Sequence, residues 1–180
     1  MDADASRPAD GYRRAALGGA QIRADIVDVY VFRRATPGPE FLQLLRAKTP
    51  LDNTWQPIMG HCEQDEPAAR CAVRELREEV GLGQDDPKLL GIWALEQVHP
   101  FYLAALNCIV MSPRFVAEVE PDWSPRLNRE HSEARWVPAG HVGRAFMWPG
   151  QRAAIREALE EIIPIGAPNR TRQRLDPGVC

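Results

Sequence analysis

The chain has 180 residues, 44% hydrophobic and 26% charged, which is enough apolar material for one domain with a substantial core. Its net charge is −3 and its pI about 5.8, so it lacks the overall basic charge of a protein held on nucleic acid by phosphate neutralisation. The start resembles no signal peptide, and no apolar run approaches the roughly 18 residues needed to span a bilayer. We therefore expect a cytoplasmic protein that acts on a small molecule and binds neither nucleic acid nor membrane.

Composition divides the chain into three parts. Residues 1–20 and 166–180 are polar and lack periodicity, so both are predicted to be loosely ordered, and residues 21–165 are predicted to form the folded domain. The four cysteines show no C-x-x-C pair and no zinc spacing, which favours reduced thiols. We expect Cys62 and Cys71 to be packing residues.

Strands are predicted where β-branched and aromatic residues cluster between turn residues. The first two, at 26–32 and 41–46, flank a Pro-Gly-Pro turn and should form a hairpin. Residues 55–59 lead into the region of the next helix, and further strands are predicted at 89–98, 108–117 and 134–137. A last helix after Pro149 has apolar residues at helical spacing from Ile155 to Ile163, so it should cover one face of the sheet.

A helix is predicted over residues 67–80, with an acidic residue and Pro67 at its start and Gly81 as its stop. Its apolar residues lie within one arc of about 100°, the width of a stripe that faces a core. Three glutamates gather on another side, where all can point into one shallow site; they are Glu75, Glu78 and Glu79.

Three clustered carboxylates repel one another, and the C-terminal half of a helix is an unfavourable place for negative charge. One interpretation is a solvated acidic face that is balanced by the interleaved Arg70, Arg74 and Arg77. The other is a site for a hard divalent cation, because Mg²⁺ is usually held by a few carboxylates together with water and substrate phosphates.

The wider pattern favours the cation site. The stretch consists, in order, of Gly60, five residues, Glu66, seven residues, Arg74-Glu75, an aliphatic residue, any residue, Glu78-Glu79, any residue and Gly81-Leu82. This pattern resembles the Nudix box at every defined position. The resemblance implies an α/β protein with the Nudix fold, an α/β/α sandwich that contains a mixed β-sheet and the Nudix loop-helix-loop. It also implies Mg²⁺- or Mn²⁺-dependent hydrolysis of a nucleoside diphosphate linked to another group.

Roles follow from the resemblance by position. The glutamates matching Glu78 and Glu79 are principal metal ligands, the one matching Glu75 commonly joins them, and the carbonyl matching Gly60 can contribute. Glu66 and Arg74 match a pair that braces the loop on the helix. Gly81 completes the motif as a structural residue.

The general base varies within the family and is often a glutamate outside the box. Glu130, just before the predicted strand at 134–137, is our candidate for a base and metal ligand. Glu133 is its rival. His131 could act as a base by its ordinary pKa, although a histidine in a loop is generally polar surface.

Short pieces flanking the box resemble a bacterial subgroup of dihydroneopterin triphosphate or dATP pyrophosphohydrolases. They include residues 28–34, 54–61, 130–137 and 148–153; Cys62 and Gln64-Asp65 depart from the common pattern of the subgroup. An aromatic ring can stack on a purine or pterin, and basic residues can bind phosphates. The candidate substrate contacts are Arg46, Lys48, Trp55, Phe101, Tyr102 and Trp148.

The sequence thus predicts a metal-dependent hydrolase that splits a nucleoside or pterin triphosphate into a monophosphate and pyrophosphate. A dinucleoside polyphosphate or nucleotide-sugar hydrolase is the alternative enzyme, and a Nudix-fold nucleotide sensor is the alternative from another class. Many Nudix proteins pair, so a homodimer is possible.

Overall fold

The computed structural model describes residues 19–49 and 51–176. Ten strands lie in this part of the chain. They are β1 Gln21–Arg23, β2 Ile26–Arg33, β3 Glu40–Arg46, β4 Trp55–Gln56, β5 Ile58–His61, β6 Leu89–Ala94, β7 Phe101–Leu103, β8 Cys108–Val110, β9 Arg114–Val119 and β10 His131–Pro138.

Four α-helices accompany these strands in the described residues. They are α1 Ala68–Val80, α2 Val142–Ala145, α3 Pro149–Glu157 and α4 Pro168–Arg172; a π-helical turn at Ala158–Ile162 extends α3, and short 3-10 turns occupy Ala104–Leu106 and Ala139–His141. None of the helices in the described ranges has the length and apolarity to cross a bilayer.

The larger sheet runs in the order β10-β3-β2-β9-β6, with β4 joined to β3 and β5 joined to β2. Only the β2–β9 pairing is parallel among the pairings of this sheet that the described residues make. Side chains alternate between the faces of a strand. Accordingly, Val27, Val29 and Val31 of β2 join one buried core cluster, whereas Tyr30 and Phe32 join another.

Each face of this sheet is covered by one helix. Cys71, Ala72, Leu76 and Val80 of α1 complete the first cluster, and the helix that begins at Pro149 completes the second. The expected α/β/α sandwich with a mixed sheet is therefore confirmed, as is the final helix.

The ends of α1 follow the predicted signals with one shift. Pro67 is extended, at φ −62° and ψ 142°, so it precedes the helix instead of lying in its first turn. Gly81 adopts φ 72°, and the N–H groups of Gly81 and Leu82 donate to the carbonyls of Arg77 and Leu76. The bond from Gly81 to Arg77 is the one that closes an αL ending, and this ending requires the left-handed conformation that glycine adopts readily.

The predicted single strand over 108–117 is wrong. It is two strands, β8 and β9, which belong to different sheets. The break falls at residues 111–113, where Met111 donates to the Arg23 carbonyl and Pro113 has no N–H with which to continue a ladder.

A second, three-stranded sheet has the order β1-β8-β7. Along the chain, β1 is followed by β2, and β8 is followed by β9. Since β1 pairs with β8 in parallel and β2 pairs with β9 in parallel, the small sheet continues the large one beyond a break in each strand. The small sheet begins beside the loop that precedes α1, since the backbone carbonyl of Asp25, between β1 and β2, accepts the N–H of Cys62.

Residues 166–176 differ from the expectation of a loosely ordered end. Arg170 of α4 donates to Glu118 and to the Ile162 carbonyl, and its guanidinium lies 4.4 Å from the ring centroid of the fully buried Trp93. Leu175 donates to the Ile92 carbonyl at the sheet edge. The contacts with Glu118, Trp93 and Ile92 were invisible in the sequence because they join positions about 50 to 80 residues apart. Residues 1–18 and 177–180 of the predicted ends lie outside the described residues.

Candidate active site

The carboxylate of Glu75 lies directly against the backbone of Gly60. A Cβ atom built on Gly60 would come 1.9 Å from Cδ of Glu75 and 2.0 Å from its Oε1. Glycine is therefore required here by close approach. The consequence is that the end of β5 and the middle of α1 meet with one carboxylate between them.

Arg74 joins the loop to this helix. It makes a two-pronged ion pair with Glu66, in which Nε is 3.0 Å from Oε1 and Nη2 is 2.9 Å from Oε2. Its Nη2 also donates to the His61 carbonyl at 2.8 Å, and its Nη1 donates to Glu75 at 2.7 Å and to Glu78 at 3.2 Å. One guanidinium thus holds the loop and pairs with three carboxylates, whose combined negative charge exceeds its own.

Glu79 lies deeper than the other box glutamates, with 2% of its surface exposed. Its Oε2 is buried without a hydrogen-bond partner among the described residues. Burial raises the pKa of Glu79 to about 9, with smaller contributions from the negative charges of Glu75 and Glu130.

His131 faces this carboxylate. Its Nε2 is 3.7 Å from Oε2 of Glu79 and 3.4 Å from Nε2 of Gln56, and the residue is buried. The expectation that a loop histidine is polar surface is therefore wrong. Burial and the nearby Arg46 charge lower the pKa of His131 to about 4, so His131 is neutral at pH 7 and forms no ion pair with Glu79.

The three box glutamates do not point into one shallow site as the helical spacing suggested. Glu75 and Glu79 are buried against β5, whereas the side chain of Glu78 is 53% exposed and reaches the others through Arg74. Within the described ranges, no three acidic, histidine or cysteine side chains converge as a ready-made metal cluster. Periodicity placed these residues on one side of the helix, but the position of β5 decided which of them is covered.

Glu130 lies at the entrance to β10 beside both predicted phosphate grips. Its carboxylate oxygens are 3.8 Å from Nη1 of Arg46 and 3.9 Å from Nζ of Lys48. The Glu130 charge also contributes to the raised pKa values of Glu75 and Glu79, so the three carboxylates share one region. The structure brings these predicted residues together.

Glu133 lies on the opposite face of the sheet. It pairs with Leu45 across the β10–β3 ladder, whereas the buried Leu44 of the α1-side cluster points the other way. An irregularity between His131 and Glu133 separates the two glutamates. Sheet register therefore favours Glu130 over its rival.

The predicted aromatic contacts are not gathered around the glutamates. Trp55 pairs with Leu45 and so lies on the face away from α1, where the Arg135 guanidinium sits 4.0 Å from its ring centroid. Trp148 precedes α3 on that same side. Tyr102 and Phe101 are exposed on the small sheet, and the Tyr102 hydroxyl donates to Asn107.

Two features of the site escaped the sequence. One of them is Gln56, which is buried and faces His131. The signal that could have identified it in the sequence is a polar residue next to a buried strand. Arg126 and Asn128 donate backbone N–H groups to the carbonyls of Val80 and Glu79, which ties the loop before Glu130 to the end of α1.

Comparison with known proteins agrees with this fold and site. The model of the NUDIX domain family matches residues 23–157, three quarters of the chain, so the chain belongs to the NUDIX family. It is thus a Nudix hydrolase, an enzyme that acts on phosphorus-containing anhydrides. Such hydrolases generally use divalent metals.

Solved structures share the fold at low sequence identity. A Caenorhabditis elegans Ap4A hydrolase in a binary complex has a TM-score of 0.63 at 16% identity, over 77% of this chain and 96% of that one. The Escherichia coli dihydroneopterin triphosphate pyrophosphohydrolase has a TM-score of 0.60 at 21% identity, over 73% and 92%. The NUDIX domain of Shewanella oneidensis NrtR, in complex with ADP ribose, has a TM-score of 0.61 at 16% identity, over 83% and 92%.

The Glu66–Arg74 brace should make the stability of the protein depend on pH. The hydrogen bonds that Arg74 donates to Glu66 lower the pKa of Glu66 from 4.5 to about 2. The ionised carboxylate therefore stabilises the fold fully above pH 4.5, and this contribution is lost as the pH falls towards 2. Glu66→Gln should lower the free energy of unfolding by about 1–2 kcal/mol at pH 7, with the difference from the wild type shrinking towards pH 2.

Urea unfolding followed by circular dichroism at pH 7, 5 and 3 measures this difference. Glu63→Gln is the matched control, because the neighbouring Glu63 is exposed and its hydrogen bonds with Glu66 are made by its backbone. An equal loss at all three pH values would show that the ionised pair is not the source of the stability.

Proposed function

We propose that this protein is a divalent-metal-dependent pyrophosphohydrolase that cleaves a nucleoside or pterin triphosphate between the α and β phosphates. The observation that carries the proposal is the pair of buried carboxylates, Glu75 and Glu79, packed against β5 with one Glu79 oxygen unpartnered. Burying two carboxylates together is unfavourable unless a cation compensates them. The raised pKa of Glu79 has the same cause, since burial disfavours the ionised carboxylate.

The donor set fits a hard cation such as Mg²⁺ or Mn²⁺. Carboxylate oxygens of Glu75, Glu78 and Glu79, with the backbone carbonyl of Gly60 and with Glu130, supply the oxygen ligands that such cations prefer. A bound divalent cation would neutralise phosphate charge and lower the pKa of water near the reacting phosphorus.

Phosphate binding and proton transfer are carried out by other side chains of the protein. Arg46 and Lys48 supply positive charge beside Glu130, where they can bind and orient the non-bridging phosphate oxygens. Glu130 is half-exposed and can take a proton from an attacking water. His131 borders Glu79, with its Nε2 3.7 Å from Oε2 of that carboxylate, and Gln56 lies 3.4 Å from the same nitrogen.

The choice of a triphosphate rests on the sequence resemblance to the dihydroneopterin triphosphate and dATP subgroup. The structural likeness to the E. coli dihydroneopterin triphosphate pyrophosphohydrolase is compatible with it. A hydrolase of dinucleoside polyphosphates or nucleotide sugars is the second candidate, since the fold is shared equally with the Ap4A hydrolase and the ADP-ribose complex. Cytoplasmic location is part of the same proposal, and Tyr102, Trp55 and Trp148 remain its candidate base contacts.

A substrate panel tests the function. Nucleoside triphosphates, deoxynucleoside triphosphates, dihydroneopterin triphosphate, diadenosine polyphosphates and ADP-ribose are incubated with millimolar Mg²⁺, and products are resolved by ion-exchange chromatography. We expect monophosphate and pyrophosphate from a triphosphate, abolition by EDTA, and a kcat at least about 100-fold lower in Glu79→Gln. Cleavage of only the dinucleotides or ADP-ribose would establish the second candidate, and no cleavage of any compound would favour a nucleotide sensor.

Gly60→Ala should impair the site without unfolding the protein. The added methyl group displaces the flexible end of Glu75 and leaves the backbone of β5 in place, so the melting temperature should change little. Mn²⁺ affinity, measured by calorimetry, should fall about 10-fold or more, and kcat should fall with it. Gly83→Ala is the control, because a Cβ there meets nothing within 4 Å; equal metal binding in both variants would contradict the role of Glu75.

Glu130 and Glu133 form a matched pair for locating the base. Glu130→Gln should lower kcat by about 10²–10³-fold, because it removes a carboxylate from the α1 face. Glu133→Gln changes the opposite face and should retain kcat within about twofold. Steady-state kinetics on the best substrate of the panel compare them, and the reverse order of effects would assign the role to Glu133.

A further inference from the structure

The turn that carries Glu130 is attached to the fold on both sides. Before it, the backbone N–H of Asn128 donates to the carbonyl of Glu79 in α1 at 3.2 Å. At the turn itself, the carbonyl of Glu130 accepts the N–H of Ala47, the residue that follows β3, at 2.8 Å. The candidate base therefore lies between the helix that carries the box glutamates and the strand that ends at Arg46.

The side chain of Asn128 closes this turn. Its Oδ1 atom accepts the backbone N–H of Glu130 at 2.9 Å, and the residue is partly buried. A bond from an asparagine side chain to the N–H two residues further on is an Asx turn, which orders the backbone where no helix or strand does. Residues 120–130 form neither. Asn128 thus holds α1 through its backbone and Glu130 through its side chain.

We infer that Asn128 is a positioning residue, whose side chain directs the carboxylate of Glu130 towards the reacting phosphate. This role rests on the proposed function, because it concerns the base of that reaction. The side chain of Glu130 is 44% exposed, and its ion pairs with Arg46 and Lys48 are long, at 3.8 and 3.9 Å. Pairs of this length and exposure hold a carboxylate only weakly. Its direction is therefore set by the backbone that carries it.

The position of Glu130 decides how well it can take a proton. A general base must come within about 2.6–3.2 Å of the water that it deprotonates. A displacement of about 1 Å can cost up to 10²-fold in rate. The bond from the Asn128 N–H to the Glu79 carbonyl needs no side chain, so a substitution of Asn128 removes the turn and leaves the attachment to α1 in place.

Steady-state kinetics of three variants test this role, with millimolar Mg²⁺ and the best substrate of the panel. Asn128→Ala should lower kcat about 10-fold and keep KM within about twofold, because Arg46, Lys48 and the box glutamates are unchanged. Asn128→Asp keeps an Oδ acceptor at the same place and should restore most of kcat at its own pH optimum. Arg129→Gln is the control and should keep kcat within about twofold, because Arg129 is exposed and its side chain bonds to none of the described residues.

A double-mutant cycle separates positioning from a general effect on the fold. If Asn128 acts through Glu130, then Asn128→Ala should lower kcat by less than about twofold when Glu130→Gln is already present. The full 10-fold loss in that background would overturn the inference. So would a failure of Asn128→Asp to restore kcat.

Amide hydrogen exchange examines the turn without any substrate. In the ¹⁵N-labelled full-length protein, the Glu130 amide should exchange at least about fivefold faster in Asn128→Ala than in the wild type, and Asn128→Asp should keep the slow rate. An unchanged rate in Asn128→Ala would overturn the inference even in an active enzyme. If no compound of the panel is cleaved but the exchange rates differ as expected, the proposed function fails and the ordering of the turn by Asn128 is confirmed.

Discussion

The guanidinium of Arg74 is the interaction on which the site depends. It reaches the His61 carbonyl on β5, Glu66 in the loop, and Glu75 and Glu78 on α1. A planar group with five fixed donors can serve four acceptors at once, whereas an ammonium group has three. Without this cation, the loop and the acidic face of the helix would separate by mutual repulsion.

The sandwich supplies the second constraint. Because α1 packs on the face formed by Val27, Val29 and Val31, the end of β5 comes against the helix where Glu75 and Glu79 project. Gly60 permits the contact by having no side chain. The same packing removes both carboxylates from water, which raises their pKa values.

Strand register completes the arrangement from a distant part of the chain. The pairing of β10 with β3 sets His131 opposite Arg46, and the irregularity that follows turns Glu133 to the other face. A shift of one residue in this ladder would exchange the faces and remove the histidine from Glu79. The loop before Glu130 is held to the last turn of α1 by two backbone hydrogen bonds, which fixes the register at the site.

The sequence by itself determined the family, the helix that carries the glutamates and most of the strands, because these depend on short-range spacing, turn residues and local periodicity. The resemblance to the Nudix box also implied the pairing of Glu66 in the loop with Arg74 on the helix, which the structure contains. Only the tertiary structure decided that Glu79 and His131 are buried together, that Glu78 stays exposed, and that Trp55 faces away from α1. It also revealed the anchoring of residues 166–176. The reason is physical: periodicity says which residues share a face, but the partners that cover that face come from strands and loops far along the chain.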